Sequence, residues 1–181
     1  MEKMELFVYK DIPYEEGFVS FQQQMKIRYP ETKSDPNHFV FYRWDSILYD
    51  FIFRDQMKVL DSMAPAFGNK KIDFVFVTEM QEEPSKQFLK DNYDAYKHVK
   101  MLYGMDDFIS GLHNSKAIKI AKPTVIGMSD SAVDNRSKQS ALYLITDSRG
   151  KILVSNKNYT AVLKDTAFLN TLNRINNAAN Y

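Results

Sequence analysis

The 181-residue chain contains no cysteine. That removes disulfide frameworks, thiolate metal sites, iron-sulfur clusters and thiol chemistry together. Charge of one sign is equally missing: 24 Lys and Arg stand against 23 Asp and Glu, and the resulting +1 is too balanced for the electrostatic footprint of phosphate-backbone binding, so nucleic acid is not an expected partner. There is no apolar run of the ~18 or more residues that span a membrane, and the start, MEKMELFVYK, lacks the cationic-then-apolar order of a signal peptide. Six glycines leave no G-x-x-x-x-G-K-[ST] loop and no G-x-G-x-x-G turn, hence no usual phosphate cradle. The compartment is left open by these features.

What is present reads as a folded domain. Hydrophobic residues make up 44% and charged residues 26%, enough to build a core and too apolar for disorder. Residues 6–9 (LFVY) are a short strand candidate. Tyr14, Phe18, Phe21 and Met25 recur at helical spacing until Pro30 must end the helix. Residues 38–44 (HFVFYRW) predict a strand, and Phe53, Met57, Leu60 and Ala64 an amphipathic helix stopped by Pro65 and Gly68. The unbroken FVFV in residues 72–78 is the mark of a strand buried on both faces in a parallel sheet. A helix opening at Glu83-Pro84 turns Phe88 and Leu89 inward, Val99 and Met101 predict a short extended piece, and Met105, Phe108, Ile109 and Leu112 another helix behind Asp106 and Asp107. SALYLIT and KILVS, joined by Asp147-Ser148-Arg149-Gly150, predict a hairpin whose Gly takes positive φ. Phe168, Leu172 and Ile175 close the chain as a helix capped by Asp165 or Thr166.

Isolated chemical signals are weak. His38, His98 and His113 lack metal-ligand spacing, so no metal site is expected from them. Asp130 and Asp134 with Ser129 and Ser131 lack the Gly and Glu of an EF-hand, and Gly127-Met128-Ser129 lacks the second Gly of a nucleophile elbow. The aromatic residues and the nine methionines fall mostly on stripes assigned to the core.

The order of strand, helix, buried strand, helix, hairpin and final helix resembles the thioredoxin-like superfamily over residues 37–175. HFVFYRWDSILYDFIFRDQMKVLDSM is similar to its first core strand, active-site turn and long helix; KKIDFVFVTEM to the next parallel strand; SALYLITDSRGKILVS to its closing hairpin. The resemblance implies an α/β fold: a central mixed sheet with helices on both faces, in which residues 38–44 pair parallel to 72–78 and antiparallel to 141–146. It implies an N-terminal extension (1–37, strand plus helix) packed on a domain spanning 38–176, with 177–181 a disordered tail and 105–139 an elaborated connection. The N-terminal extension resembles that of bacterial membrane-anchored thioredoxin-like proteins, a resemblance that implies the cell envelope.

Redox members carry W-C-x-x-C because a helix N-terminus lowers the pKa of the attacking thiol and a second cysteine resolves the mixed disulfide. Here the stretch reads Trp44-Asp45-Ser46-Ile47-Leu48-Tyr49-Asp50; the cysteine positions fall on Ile47 and Asp50 in one register, on Asp45 and Leu48 in the other. The position of the family's cis-proline is Ala141. The expectation is therefore a redox-inactive domain that binds another protein or peptide, with no cofactor and no catalytic residue. Trp44, Asp45, Ser46, Tyr49, Asp50 and Ala141 would form an exposed binding edge at the carboxyl ends of the strands, where open α/β sheets hold ligands. The alternatives are a non-thiol enzyme or ligand-binding protein using Ser46 or Tyr49, and a scaffold piece of a larger protein. If instead Trp44 plugs the core, Arg43 and Asp45 are expected to be solvated.

Overall fold

A computed structural model describes residues 9–30, 36–45, 54–67, 72–90, 95–116, 143–155 and 161–178. Pro13, in extended conformation, leads into α1 (Tyr14–Arg28), and the helix ends at Tyr29, whose N–H closes on the Met25 carbonyl at 2.8 Å just before Pro30. β1 (His38–Arg43) follows, then α2 (Arg54–Met63) with a 3-10 turn over Ala64–Ala66, β2 (Ile72–Val77) and α3 (Glu82–Leu89). β3 (Lys100–Leu102), α4 (Asp106–His113), β4 (Tyr143–Asp147), β5 (Ile152–Ser155), a 3-10 turn at Val162–Lys164 and α5 (Thr166–Ala178) complete the order.

The five strands form one mixed sheet, β3-β2-β1-β4-β5. β1 runs parallel to β2, with His38 beside Ile72 and Arg43 beside Val77, and antiparallel to β4, with His38 beside Asp147 and Tyr42 beside Tyr143. β2 and β3 are parallel, β4 and β5 antiparallel. The period of two in a strand sorts the side chains onto two faces. Val40, Tyr42, Trp44, Phe74, Phe76, Tyr143 and Ile145 join Met57 and Leu60 of α2, Leu89 of α3 and Phe168, Leu172 and Ile175 of α5. Phe39, Phe41, Val75, Val77 and Leu144 join Phe18 and Phe21 of α1 and Phe108, Ile109 and Leu112 of α4. Helices thus cover both faces, and FVFV is buried throughout because it lies inside the sheet.

Local chemistry fixes the joints. In the β4-β5 turn Asp147 Oδ1 accepts the N–H groups of Arg149 and Lys151, each at 2.9 Å, and Gly150 has φ +91°, a conformation that suits glycine. A Cβ there would also meet the Phe18 ring at 2.7 Å. Asp165, rather than Thr166, caps α5: its Oδ1 accepts the Phe168 N–H at 3.0 Å while its Oδ2 accepts the Tyr143 hydroxyl at 2.8 Å. α5 runs through Ala178, two residues into the stretch expected as a disordered tail, because Ile175 still buries against the sheet. Of the strand expected at 6–9 only Tyr9 is described, and it lies in no strand; β3 forms the sheet edge beside β2. The rest of that expectation, and most of the connection between α4 and β4, lie outside the described residues.

α1 and α4 touch at two glycines. A Cβ on Gly17 would stand 2.9 Å from the Asp107 carbonyl oxygen and 3.2 Å from the Gly111 Cα, both backbone atoms that no rotamer can move. Gly17→Ala would add roughly 1 kcal/mol of stability on an exposed helix; here we expect a loss of about 1–3 kcal/mol from overpacking. Urea unfolding measures the difference, and an unchanged or raised midpoint would contradict the close crossing.

Candidate functional site

The carboxyl ends of β1 and β2 are extended past the strands by main-chain bonds: Trp44 N–H to Val77 O at 3.0 Å, Thr78 N–H to Leu102 O at 3.2 Å and Met105 N–H to Thr78 O at 2.9 Å. This ladder brings the residues after three strands to one edge. Trp44 continues the parity of Val40 and Tyr42, so its indole turns into the core, fully buried and stacked near Phe88 at 6.4 Å between centroids. Arg43 has the parity of Phe39 and Phe41 and turns to the opposite face, toward α4.

There Arg43 is 5% exposed and surrounded by charge. Its Nη1 donates to the Tyr9 hydroxyl at 2.9 Å, its guanidinium lies 5.6 Å from the Tyr9 ring centre, and its Nη2 is 3.9 Å from Glu79 Oε2. The Tyr9 ring stacks on His113 at 3.8 Å and 11°. Asp45, 7% exposed, adds a second carboxylate to the electrostatics of Arg43 and Glu79. Residues 9–13 are strapped over α4: the Lys10 N–H bonds Ser110 Oγ at 3.0 Å, and Asn114 Nδ2 donates to the Lys10 and Ile12 carbonyls at 3.0 and 2.9 Å.

Burial governs the titration here. Desolvation raises the Glu79 carboxyl above its ordinary value despite the opposing attraction of Arg43, with Asp45 and Asp106 adding to the rise. Desolvation likewise raises the Tyr9 phenol, against the pull of Arg43. Arg43 stays a cation: its own desolvation is outweighed by Tyr9, Glu79 and Asp45. The cluster can hold a proton on Glu79 above the usual carboxylate range and can keep an arginine fixed inside the domain.

The expected binding edge is only partly described. Trp44 and Asp45 are buried rather than exposed, since α3 covers the indole and the parallel ladder carries on beyond Arg43; this corrects the exposed placement. Trp44 does fill the core, but Arg43 and Asp45, expected in solvent in that case, are buried as well. Ser46, Tyr49, Asp50 and Ala141 lie outside the described residues, as do Gly127, Ser129, Asp130, Ser131 and Asp134. The three histidines are separated in role. His38 begins β1, where burial lowers its pKa against the pull of Asp147; the His98 N–H donates to Asp61 at 2.9 Å; His113 stacks on Tyr9. Among the described residues no cluster of His, Asp and Glu is placed to hold a metal, and no helix is long and apolar enough to cross a membrane.

Glu79 and Tyr9 were missed in the sequence. Glu79 reaches the cluster through the parallel register, His38 with Ile72 through Arg43 with Val77, which no short window of the sequence contains. Tyr9 had no signal, because the strand expected over 6–9 gives no reason to set it beside Arg43. No family model matches this chain, and no curated protein or solved structure matches it either.

A carboxyl held protonated more tightly in the native than in the unfolded chain favours the fold at low pH. That contribution is complete below the ordinary carboxylate value and is lost as pH rises through the elevated native pKa. We therefore expect a carbon-detected NMR titration to place Glu79 above 4.5, and Glu79→Gln to flatten this part of the stability profile. A native value at or below 4.5 would contradict the site electrostatics.

Proposed function

We propose that the chain is a redox-inactive thioredoxin-like domain that works as a binding module for another protein or an extended peptide. The observation that carries this reading is the central strand: β1 lies parallel to β2 and antiparallel to β4, with the β4-β5 hairpin completing the same sheet. That is the pairing the resemblance implies. The absence of cysteine supports the redox-inactive half, because the thiolate is the nucleophile of disulfide exchange.

The burial of Trp44 and Asp45 moves the binding role onto the residues that follow. Ser46, Tyr49 and Asp50, between the end of β1 and the start of α2, together with Ala141 before β4, are the partner-contacting residues in this reading. Trp44 fixes the end of β1 in the core ahead of them in the chain. A tyrosine beside charged groups is a residue type that dominates binding energy at protein interfaces. The partner is a polypeptide, held without cofactor and without covalent chemistry.

Two single variants separate binding from packing. Trp44→Ala empties a fully buried site and should cost about 3–5 kcal/mol of stability. Tyr49→Ala should leave stability within about 1 kcal/mol and weaken capture of the native partner at least about tenfold, the loss of one interface anchor. A photo-crosslinking residue at position 49 should label that partner, and one at the half-exposed Val19 of α1 should not. Equal labelling from both positions, or undiminished capture by Tyr49→Ala, would reject the module.

A further inference from the structure

The sheet has an outer edge at β3, and among the described residues the Tyr29 side chain takes its main-chain groups at Met101. Leu102 faces β2, since its carbonyl accepts the Thr78 N–H at 3.2 Å. Successive residues of a strand direct their main-chain groups to opposite edges, so the N–H and C=O of Met101 point outward. Both are taken by the same hydroxyl: the Met101 N–H donates to Tyr29 Oη at 2.8 Å, and the Tyr29 hydroxyl donates to the Met101 carbonyl at 3.4 Å.

This arrangement has a particular geometry. In an antiparallel pair, one hydrogen-bonded residue both accepts the N–H and donates to the C=O of the residue opposite; in a parallel pair those two bonds go to different residues. The Tyr29 hydroxyl fills both roles, standing where one residue of an antiparallel strand would stand. Its position is set by the end of α1, where Tyr29 closes the last turn on Met25, and its ring carries the Lys100 ammonium 5.5 Å from its centre. Tyr29 also stands between two cavities, of about 550 and 360 Å³, whose linings share Arg28 and Tyr103.

We infer that Tyr29 is a guard on a latent strand-pairing edge, and that the edge fits the β3 strand of a second copy of this chain in antiparallel orientation. The fit to a second copy follows from the sequence around Met101. A two-fold axis through Met101 pairs it with its own equivalent, sets Lys100 opposite Leu102 and Val99 opposite Tyr103. No lysine then faces a lysine directly, and a β-branched residue meets an aromatic one, a favourable cross-strand pair. Lys100 is further neutralised by Asp73 at 2.6 Å and Arg28 by Glu82 at 2.8 Å, so the flanks of the edge carry little unopposed charge. Exposed edges are templates for association unless something covers them; among the described residues the cover comes from the end of α1, where Tyr29 takes the Met101 main chain and Arg28 lies 5.1 Å from the centre of the Tyr103 ring.

The test uses the full chain and two variants. Tyr29→Ala removes both ring and hydroxyl and should dimerise at roughly 0.1–1 mM, as a small interface would, while the native protein remains monomeric in sedimentation at the same concentrations. Amide hydrogen exchange at Met101 should quicken about tenfold in the dilute variant and slow again as concentration rises. Tyr29→Phe keeps the ring, and should quicken Met101 exchange when dilute with weaker self-association; it decides the matter if Tyr29→Ala does not fold, its Met101 amide again having to regain protection with concentration. Exchange at Met101 unchanged in the variants, variants that stay monomeric, or association that leaves the Met101 amide unprotected would each overturn the inference.

Discussion

Everything in this domain is arranged around a strand with no free side. β1 is hydrogen-bonded on one edge to β2 and on the other to β4, and both of its faces are covered by helices. Its alternation is therefore not the apolar-polar one of a surface strand: Phe39, Val40, Phe41 and Tyr42 are all buried. Period two decides only which layer each residue joins, α2 and α5 for Val40, Tyr42 and Trp44, α1 and α4 for Phe39 and Phe41. A one-residue slip would exchange the two layers at once, sending an indole toward Tyr9 and a guanidinium toward Phe88.

The same constraint explains the charged cluster. A strand that ends inside the domain must deliver its last residues to buried surroundings, and Arg43 arrives on the α4 side with nowhere to reach solvent. An isolated buried cation is costly; one surrounded by a phenol and carboxylates is tolerated without adding much net stability. Tyr9 covers it, Glu79 and Asp45 balance it, and the strap that carries Tyr9 is tied to α4 by main-chain and amide hydrogen bonds, with Lys10 adding ion pairs to Asp106 and Asp107 that are largely in solvent. The exposed pairs contribute little in such positions, so the part-buried bonds of Lys10 to Ser110 and of Arg43 to Tyr9, with the stacking on His113, do most to hold the strap.

The sequence was most informative where one residue type enforces one geometry. Pro30 bounds α1, FVFV marks an interior strand, the Asp147 to Gly150 turn requires a glycine at positive φ, and the Asp165-Thr166 pair announces α5, with Asp165 supplying the capping oxygen. Each is a local constraint visible in a short window. The candidate site was harder because it depends on facing elements. That Trp44 is buried follows from α3 lying over it, and that Arg43 is buried follows from α4 and Tyr9, none of which a window around residue 44 contains. Glu79 is 36 positions from Arg43 in the chain and adjacent only through the parallel register. The guard at Tyr29 was likewise invisible, since a tyrosine before a proline reads as a helix end and nothing more.

The position of β1 in the middle of the sheet is tested most directly by through-space proton contacts in solution. With the chain isotopically labelled, backbone protons of Val40 should show contacts to β2 around Phe74 and, in the same sample, to β4 around Ile145, as the paired register requires. Contacts to one neighbour alone, or to residues displaced by one position in either strand, would contradict the two-faced strand from which the layers, the buried arginine and the proposed binding edge all follow.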